Sequence, residues 1–313
     1  MAILQIIIPE RMIDQRIDTA LTEMLPDYSR SKITTWIKSG DALINNKTFK
    51  PKDKVNGNET VCLKLKQKDN NHWLPEKINL DIVFEDDDII VINKPFGLVT
   101  HPGAGNWSGT LANALLHHDP HLSSLDRAGI VHRLDKNTSG LMVVSKNLKS
   151  QKFLVEQLQN HSVEREYSAI VYGHMISGGS INEPIGRDPK DRVKQAILTN
   201  GKQAITHYRV IDRFKSHTHV KAILETGRTH QIRVHLSHIG HSLIGDPMYG
   251  GRVRFPKKAC QELKDELINF QRQALHSKKL TLTHPSTGKS MTWRAELPDD
   301  MQALLNILKK YDS

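Results

Sequence analysis

Short strand-like runs, with helical segments placed irregularly between them, make up most of the chain after residue 80. Two runs rich in β-branched residues flank an acidic turn within 80–93, and later runs cover Leu141–Ser145, Tyr167–Tyr172, Thr206–Asp212 and His219–Glu225. Apolar residues recur at helical spacing around 110–118, 150–159 and 229–239. This irregular order favours an α+β fold with a mixed, largely antiparallel sheet over a doubly wound parallel one.

The first part of the chain is predicted to form a small separate domain. It holds two predicted helices, the second capped by Ser29 and ended by Gly40, and then two predicted strands, at 42–46 and 61–65. The polar segment 66–77 is typical of a linker. We therefore expect one domain over 1–75 and a second over 76–313.

The charge balance favours a polyanionic partner. The chain has 44 Lys and Arg against 34 Asp and Glu, which gives a net charge of +10. Residues 28–54 alone carry seven basic side chains and two acidic ones. Arg30, Lys32 and Lys38 are candidates to follow a phosphate backbone. The alternative for such a run is a solvated helix face.

Cysteine usage and hydropathy exclude several classes of protein. Cys62 and Cys260 lie far apart and form no CxxC pair, which disfavours a disulfide framework and a zinc site, and we expect both to be buried. The start of the chain has a brief apolar run without a basic lead, and no stretch reaches the length of a membrane span. We expect a cytoplasmic protein with no membrane contact and no obligatory protein partner.

The stretch Gly129–Ser139 is the richest in chemistry. A short apolar run is interrupted by His132, Arg133 and Asp135 and is followed by small polar residues. A carboxylate between basic groups suits a reaction that needs an ionised nucleophile. Taken alone, Asp135 would more often be a loop or helix-cap aspartate without catalytic function.

This stretch resembles the HRLD signature of the RluA-type pseudouridine synthases, which isomerise uridine in structured RNA. The resemblance implies that Asp135 is the catalytic aspartate and that Arg133 occupies the space left by a flipped-out nucleotide. It also implies a tyrosine against the target base, at Tyr167 in the Glu164–Tyr167 motif. The segment Thr226–Leu236 resembles the family's arginine helix, so Arg233 is expected to pair with Asp135 and Arg228 to contact the RNA backbone.

The resemblance covers nearly the whole chain. Residues 16–55 are similar to the alpha-L RNA-binding motif, and the segments 94–105 and 243–251 resemble stretches that shape the catalytic cleft. Within the family, the chain is most similar to the member that modifies the helix 69 stem-loop of 23S rRNA. The expected partner is therefore 23S rRNA or the assembling large ribosomal subunit. The reaction detaches, rotates and rejoins the base without redox change, so no cofactor and no metal are expected.

Three alternatives remain open at this point. A retaining glycosidase or nucleosidase would need two facing carboxylates, and the chemistry-bearing segments offer only one. A non-catalytic ribosome-associated RNA-binding protein would explain the charge but not the segments around Asp135, Tyr167 and Arg233. A synthase of the same family with another RNA target would share all these motifs. The loops 186–203 and 250–272, which determine the target, are the least constrained by the sequence.

Overall fold

A computed structural model describes residues 2–26, 28, 30–65, 73–103 and 105–312. They form two compact units. The first comprises the described residues of Met1–His72 with Ser123–Arg127, and the second those of Trp73–Leu122 and Ala128–Ser313. Ser29, the predicted helix cap, and residues 66–72 of the predicted linker lie outside the described residues.

The first unit is a three-stranded antiparallel sheet with two helices. Its elements are β1 (Ala2–Ile7), α1 (Ile17–Met24), α2 (Arg30–Ser39), β2 (Ala42–Ile44) and β3 (Thr60–Leu65), and β3 lies between the other two strands. The helices form where apolar residues recur every three or four positions, and each buries one face: Ile17, Ala20 and Leu21 from α1, Ile33 and Ile37 from α2. The buried core of this unit draws on residues 8–63 alone.

The second unit is built on a nine-stranded sheet. Its strands are β4 (Ile82–Glu85), β5 (Ile89–Lys94), β6 (Ser139–Ser145), β7 (Glu164–Tyr172), β8 (Gly179–Asn182), β11 (Ile205–Arg213), β12 (His217–Leu224), β13 (Leu275–Thr283) and β14 (Ser290–Arg294); β9 (Ile185–Arg187) and β10 (Gln195–Ile197) form a separate hairpin. The spatial order is β4-β5-β6-β13-β7-β12-β11-β8, with β14 paired to β13. The β6–β13 pair is parallel and the other pairs described are antiparallel. The expected α+β fold with a mixed, largely antiparallel sheet is confirmed.

Helices cover the sheet and complete its core. They are α3 (Leu111–His118), α4 (Leu148–Gln159), α5 (Gln231–His238), α6 (Gln261–Asn269) and α7 (Asp299–Tyr311). Ile170 and Tyr172 of β7 pack with the buried faces of α6 and α7, and a second cluster joins Leu154 of α4 to β5, β6 and β13. The expectation that 250–272 is a loop was wrong for its second half, which is α6.

A glycine allows the parallel pair at the centre of the sheet. Gly140 has φ +110°, and a Cβ built on it would come within 2.3 Å of the backbone oxygen of Ser277 in β13. Only a residue without a side chain permits this approach. It matters for the site because β6 begins immediately after the loop that carries Asp135.

Two other expectations concern the surface. None of the described helices is both long and apolar enough to cross a membrane. Cys62 is partly exposed and Cys260 is exposed, so the expectation that both are buried was wrong. Cys260 directly precedes α6, at the start of a helix whose buried residues lie further along.

Candidate active site

Asp135 lies in the loop that leads into β6. Its backbone oxygen accepts a hydrogen bond from Thr138 N–H at 3.0 Å, which closes a turn just before the strand. Leu134, directly before Asp135, is buried and anchors the loop there, whereas Arg133 is exposed. The Asp135 side chain is 16% exposed, which leaves the carboxylate reachable from a cleft that is largely shielded from water.

A buried lysine holds this loop against the end of β5. Lys94 is fully buried, and its Nζ donates to the backbone oxygens of Pro95, Leu98 and Lys136 at 2.8, 2.9 and 3.2 Å. Burial lowers the pKa of Lys94 to about 7, although the charge of Asp135 acts in the opposite direction. All three ammonium donors are used, so Lys94 ties the 94–98 turn to the residue that follows Asp135.

Two further side chains fix the backbone on either side of Asp135. Thr100 Oγ1 donates to the Leu134 backbone oxygen at 2.7 Å, and Gln273 Nε2 donates to Thr138 Oγ1 at 3.0 Å. Both bonds are buried, where an unmade hydrogen bond would be costly. The loop is therefore rigid before any substrate binds.

Arg233 of α5 bridges two carboxylates. Its Nη1 donates to Asp135 Oδ2 at 2.9 Å, while Nε and Nη2 donate to the two oxygens of Asp246 at 2.7 and 2.9 Å. The structure thus brings Arg233 and Asp135 together, as the resemblance predicts. The bidentate contact goes to Asp246, however, because the guanidinium fork is turned towards the loop after α5 and presents only its third nitrogen to Asp135.

Asp246 acts as the anchor of this triad. Its side chain is almost fully buried, and Oδ1 also accepts the backbone N–H groups of Met248 and Tyr249 at 2.9 and 3.0 Å. Burial raises the pKa of Asp246, but the Arg233 hydrogen bonds and the backbone donors outweigh it and hold that pKa below its usual range. Burial lowers the pKa of Arg233, but the hydrogen bonds and charges of Asp246 and Asp135 outweigh it and raise that pKa overall. Both groups therefore stay charged and fix the direction of the guanidinium.

His230 and Tyr249 complete the wall behind Asp135. The Tyr249 ring lies 4.9 Å from the Arg233 guanidinium carbon, and its hydroxyl accepts from Gln195 N–H at 2.9 Å and contacts His230 Nδ1 at 2.8 Å. His230 has a left-handed backbone (φ 57°) just before α5, which turns its ring so that Nε2 lies 3.8 Å from Asp135 Oδ1. Burial lowers the pKa of His230, which favours the neutral ring. The two Asp135 oxygens therefore face different side chains: Oδ2 faces the Arg233 guanidinium and Oδ1 faces the His230 ring.

Tyr167 lies in β7, buried in the same unit. Its hydroxyl is hydrogen-bonded to Ser277, whose own Oγ donates to the Leu141 backbone oxygen at 3.0 Å. Burial raises the pKa of Tyr167, and the Asp135 carboxylate is close enough to raise it further. The phenol is therefore neutral, and it can pack against a base or donate a hydrogen bond but does not serve as an ionised base.

The remaining predicted contacts of the catalytic unit lie at its surface. Arg133 is exposed, and its charge lies close enough to His230 to contribute to the lowered pKa of that ring. Arg228 is also exposed, and its Nε donates to the Gln203 backbone oxygen at 3.0 Å. Both guanidinium groups are thus accessible to an RNA strand, although Arg228 is partly committed to the neighbouring loop.

The basic residues predicted in the first unit lie on α2. Arg30 forms an ion pair at 2.9 Å with Asp18, a buried carboxylate that also binds Arg16. Burial raises the pKa of Asp18, but the Arg30 and Arg16 hydrogen bonds outweigh it and lower that pKa overall. Lys32 lies over the Tyr28 and Trp36 rings, and Lys38 is exposed. Part of the charge of Arg30 therefore stabilises the domain itself.

The only group of potential metal ligands that the described residues contain lies away from this cleft. Asp86, Asp88 and His284 place one ligand atom each within 4.8 Å of one another. Their atoms already bind protein: His284 Nε2 contacts Asp86 Oδ2 at 2.7 Å, and Asp88 Oδ1 accepts from Ser150 and Asn147 at 2.7 and 3.0 Å. These contacts hold the β4–β5 turn to the start of α4.

The geometry suits catalysis by one carboxylate. Asp246 is the other acid beside Arg233, and both its oxygens are taken by the guanidinium and by backbone donors. A retaining glycosidase needs a second reactive carboxyl group about 5 Å from the first, and Asp246 is too fully engaged to act as one. Asp135 is left as the accessible reactive acid of this constellation.

Two parts of the chain match known protein families. Residues 88–238 match the family described as RNA pseudouridylate synthase, and residues 15–61 match the S4 domain. The chain is 52% identical to the ribosomal large subunit pseudouridine synthase D of Yersinia pestis, over 96% of this chain and 93% of that protein. The chain belongs to the RNA pseudouridylate synthase family. The enzyme of the same name from Xanthomonas campestris is 47% identical, over 98% of this chain and 92% of that protein.

A solved structure is also similar to this chain. Human RNA Pseudouridylate Synthase Domain Containing 4 has a TM-score of 0.56 and 26% identity, over 73% of this chain and 92% of that one. This pseudouridine synthase therefore carries the family's catalytic fold together with an S4 domain at its N-terminal end.

Several residues of the synthase site were not anticipated from the sequence. Asp246, His230 and Tyr249 all lie in segments that the resemblance assigned to the cleft or the arginine helix, but no role was predicted for them. Lys94 also stands in a cleft-shaping segment. A basic residue directly before proline, at the end of an apolar strand, was the one signal that could have pointed to Lys94.

Proposed function

We propose that this RNA pseudouridine synthase isomerises uridines of 23S rRNA in the helix 69 stem-loop, with Asp135 acting on a flipped-out nucleotide. The observation that carries the proposal is the single accessible carboxylate, held by Arg233 in a rigid cleft. The target rests on relatives named ribosomal large subunit pseudouridine synthase D, which match at 47–52% identity over nearly the whole chain. The cytoplasm, where ribosomes assemble, is the corresponding location.

The site's own residues give each step a physical basis. A uridine stacked in RNA must leave its stack before its glycosidic bond can be reached, and the exposed Arg133 guanidinium is placed to fill the gap by stacking. Asp135 then reacts with the nucleotide while Arg233 stabilises its negative charge and fixes its orientation. The neutral Tyr167 packs against the freed base. The bond between ribose C1′ and uracil N1 breaks, the base rotates, and a bond forms between C1′ and carbon five. Carbon five loses its proton and N1 gains one, so atoms and electrons balance without a co-reactant.

Under this proposal, the two units have different functions. The S4 domain, with Arg30, Lys32 and Lys38 on one helix, captures rRNA through phosphate contacts, and Arg228 adds a contact beside the cleft. The catalytic unit performs the isomerisation. The substrate is either free 23S rRNA or the assembling large subunit, since both present the same stem-loop.

Tritium release from RNA labelled at carbon five of uridine tests the proposal. Transcripts of the helix 69 stem-loop, of an unrelated 23S stem-loop and of a transfer RNA are compared under single-turnover conditions. We expect release from the first alone, and from full-length 23S rRNA containing it. Faster release from the transfer RNA would assign another target to this synthase, and no release from any of these RNAs would contradict the proposed reaction.

A further inference from the structure

A second cavity lies in the catalytic unit, away from Asp135. It has a volume of about 270 Å³ and is lined by the end of β7, the β11–β12 turn and the loop before α6, including Tyr172, His174, Lys215, His217, Arg254 and Phe255. Tyr172 stands five residues beyond Tyr167 on β7, which is about 17 Å along a strand. The odd spacing also puts the two side chains on opposite faces of the sheet. This cavity is therefore separate from the Asp135 cleft.

The lining is basic. Lys215 and Arg254 are exposed side chains at its edge, His174 and His217 add two imidazoles, and no carboxylate is among the lining residues. Asp312, which is not a lining residue, binds His217 Nδ1 at 2.8 Å. Such a pocket is complementary to an anion.

His217 supplies the second observation. It is 1% exposed, and its Nε2 has no hydrogen-bond partner among the residues that the structure describes. Its Nδ1 is held by Asp312, whose Oδ2 also accepts Ser216 N–H at 3.0 Å, so the ring cannot turn to satisfy Nε2 elsewhere. A buried polar atom without a partner is costly and calls for a ligand. Because Asp312 holds Nδ1, Nε2 is the ring atom left to contact a ligand.

Two aromatic side chains, Tyr172 and Phe255, also line the cavity. The Arg254 guanidinium lies 5.3 Å from the centre of the Tyr172 ring, and its backbone is hydrogen-bonded to the Tyr172 hydroxyl. Phe255, next in the chain, is 44% exposed although it is large and apolar. Cationic groups beside an exposed aromatic ring are the combination by which proteins hold single-stranded nucleic acid, because the bases stack and the phosphates pair.

We infer that this cavity binds a phosphate of the RNA substrate, with the adjoining unstacked base on Phe255, at a place remote from the reacting uridine. Lys215 and Arg254 pair with the phosphate, and the buried His217 ring contacts it through Nε2. The inference needs only that the enzyme acts on RNA, and holds for any target sequence. It gives the 250–256 loop a role in substrate capture that does not involve the chemical step.

Two double variants, each of which removes two positive charges, test the inference. Lys215→Gln with Arg254→Gln removes two exposed positive charges from the pocket, and Lys289→Gln with Arg294→Gln removes two from the exposed β13–β14 region. The probe is a single-stranded oligouridylate, with a 23S rRNA transcript as a second probe. We expect the pocket variant to weaken binding about tenfold and to flatten the dependence of log Kd on log salt by about one unit, with unchanged single-turnover rate at saturating enzyme. The control should change Kd less than twofold.

The same experiment distinguishes RNA from a small anion. Uridine monophosphate and inorganic phosphate are titrated against the unmodified enzyme and both variants. Equal oligouridylate affinity for the pocket variant and the control would overturn the inference. Tight, Lys215-dependent binding of the free monophosphate in that case would make the cavity a small-anion site. Phe255→Leu should lose affinity for the oligouridylate but not for inorganic phosphate, because it removes the stacking ring and keeps the charges.

Discussion

At the scale of single residues, the geometry of the site depends on which nitrogen of the Arg233 guanidinium binds which carboxylate. The two-pronged contact anchors the guanidinium to Asp246, and the remaining nitrogen presents a charge-assisted donor to Asp135. Asp246 thus fixes the position of the Arg233 guanidinium, and the remaining nitrogen binds Asp135. This arrangement explains how a charged side chain that is 5% exposed can orient a carboxylate that must stay free to react.

Replacing Asp135 with Asn should abolish isomerisation. The amide keeps the shape of the carboxylate but cannot act as a nucleophile or a base. RNA affinity should change less than threefold, because Asp135 carries no role in phosphate binding. Tritium release and filter binding on the same preparation measure the two quantities. A turnover above a few per cent of the unmodified rate, in protein free of host enzyme, would remove Asp135 from the chemistry.

Replacing Arg233 with Lys should be damaging although the charge is kept. One ammonium cannot reach both oxygens of Asp246 and Asp135 together, so Asp246 is left buried with an incomplete set of partners. The cost is on the order of 3 kcal/mol, and about a hundredfold in the single-turnover rate if it falls on the transition state. Arg228→Lys is the comparison, and it should change Kd more than the rate. The reverse ranking would mean that the aspartate's partner is misassigned.

At the scale of elements, the Asp135 loop is held by a side chain from another strand. Lys94→Met keeps the length and bulk of the side chain but leaves three backbone oxygens without their donor. These hydrogen bonds are partly buried, so we expect a loss of about 2 kcal/mol in the free energy of unfolding and a fall in turnover. Denaturant unfolding and single-turnover kinetics measure these, and unchanged kinetics would show that the loop does not need this support.

The same lysine gives a pH dependence of stability whose sign can be worked out. Burial lowers the pKa of Lys94 to about 7 in the folded protein, from 10.5 in an exposed lysine. Between these values the unfolded chain holds a proton that the folded protein has lost, so this group's contribution to stability rises from pH 7 towards pH 10. Below pH 7 both states are charged and the folded state bears the full burial cost. The unfolding free energy of the Lys94→Met variant should rise less over this range than that of the unmodified protein.

The sequence predicts elements better than contacts. Helices and strands near the site were anticipated because their apolar residues recur at regular spacing, as in α4 and β7. α6 was missed because only Leu263 and Leu267 of its nine residues are buried, and six of the other seven are polar or charged. Asp246 was missed for a different reason, since its partner Arg233 is brought to it by the fold and no local pattern marks the pair.

At the scale of the whole molecule, the two units have separate cores. The buried cluster of the first unit draws on residues 8–63, none of which belongs to the catalytic unit. Removing residues 1–72 should therefore leave a folded catalytic unit that captures rRNA more weakly and whose log Kd depends less steeply on log salt, because phosphate contacts are lost. The single-turnover rate at saturating enzyme should stay within about threefold. Unchanged kcat/KM on full-length rRNA would show that the S4 domain does not serve substrate capture.

The central position of β13 has a consequence for biosynthesis. β13 pairs with β6 on one side and with β7 on the other, although it is made more than a hundred residues after either of them. Until residues 275–283 leave the ribosome, β6 and β7 each present an unsatisfied edge, and such edges are where nascent chains aggregate. Pairing over so long a separation is also slow. The enzyme is therefore expected to depend on protection during translation, and its catalytic loop to become ordered only when synthesis is nearly complete.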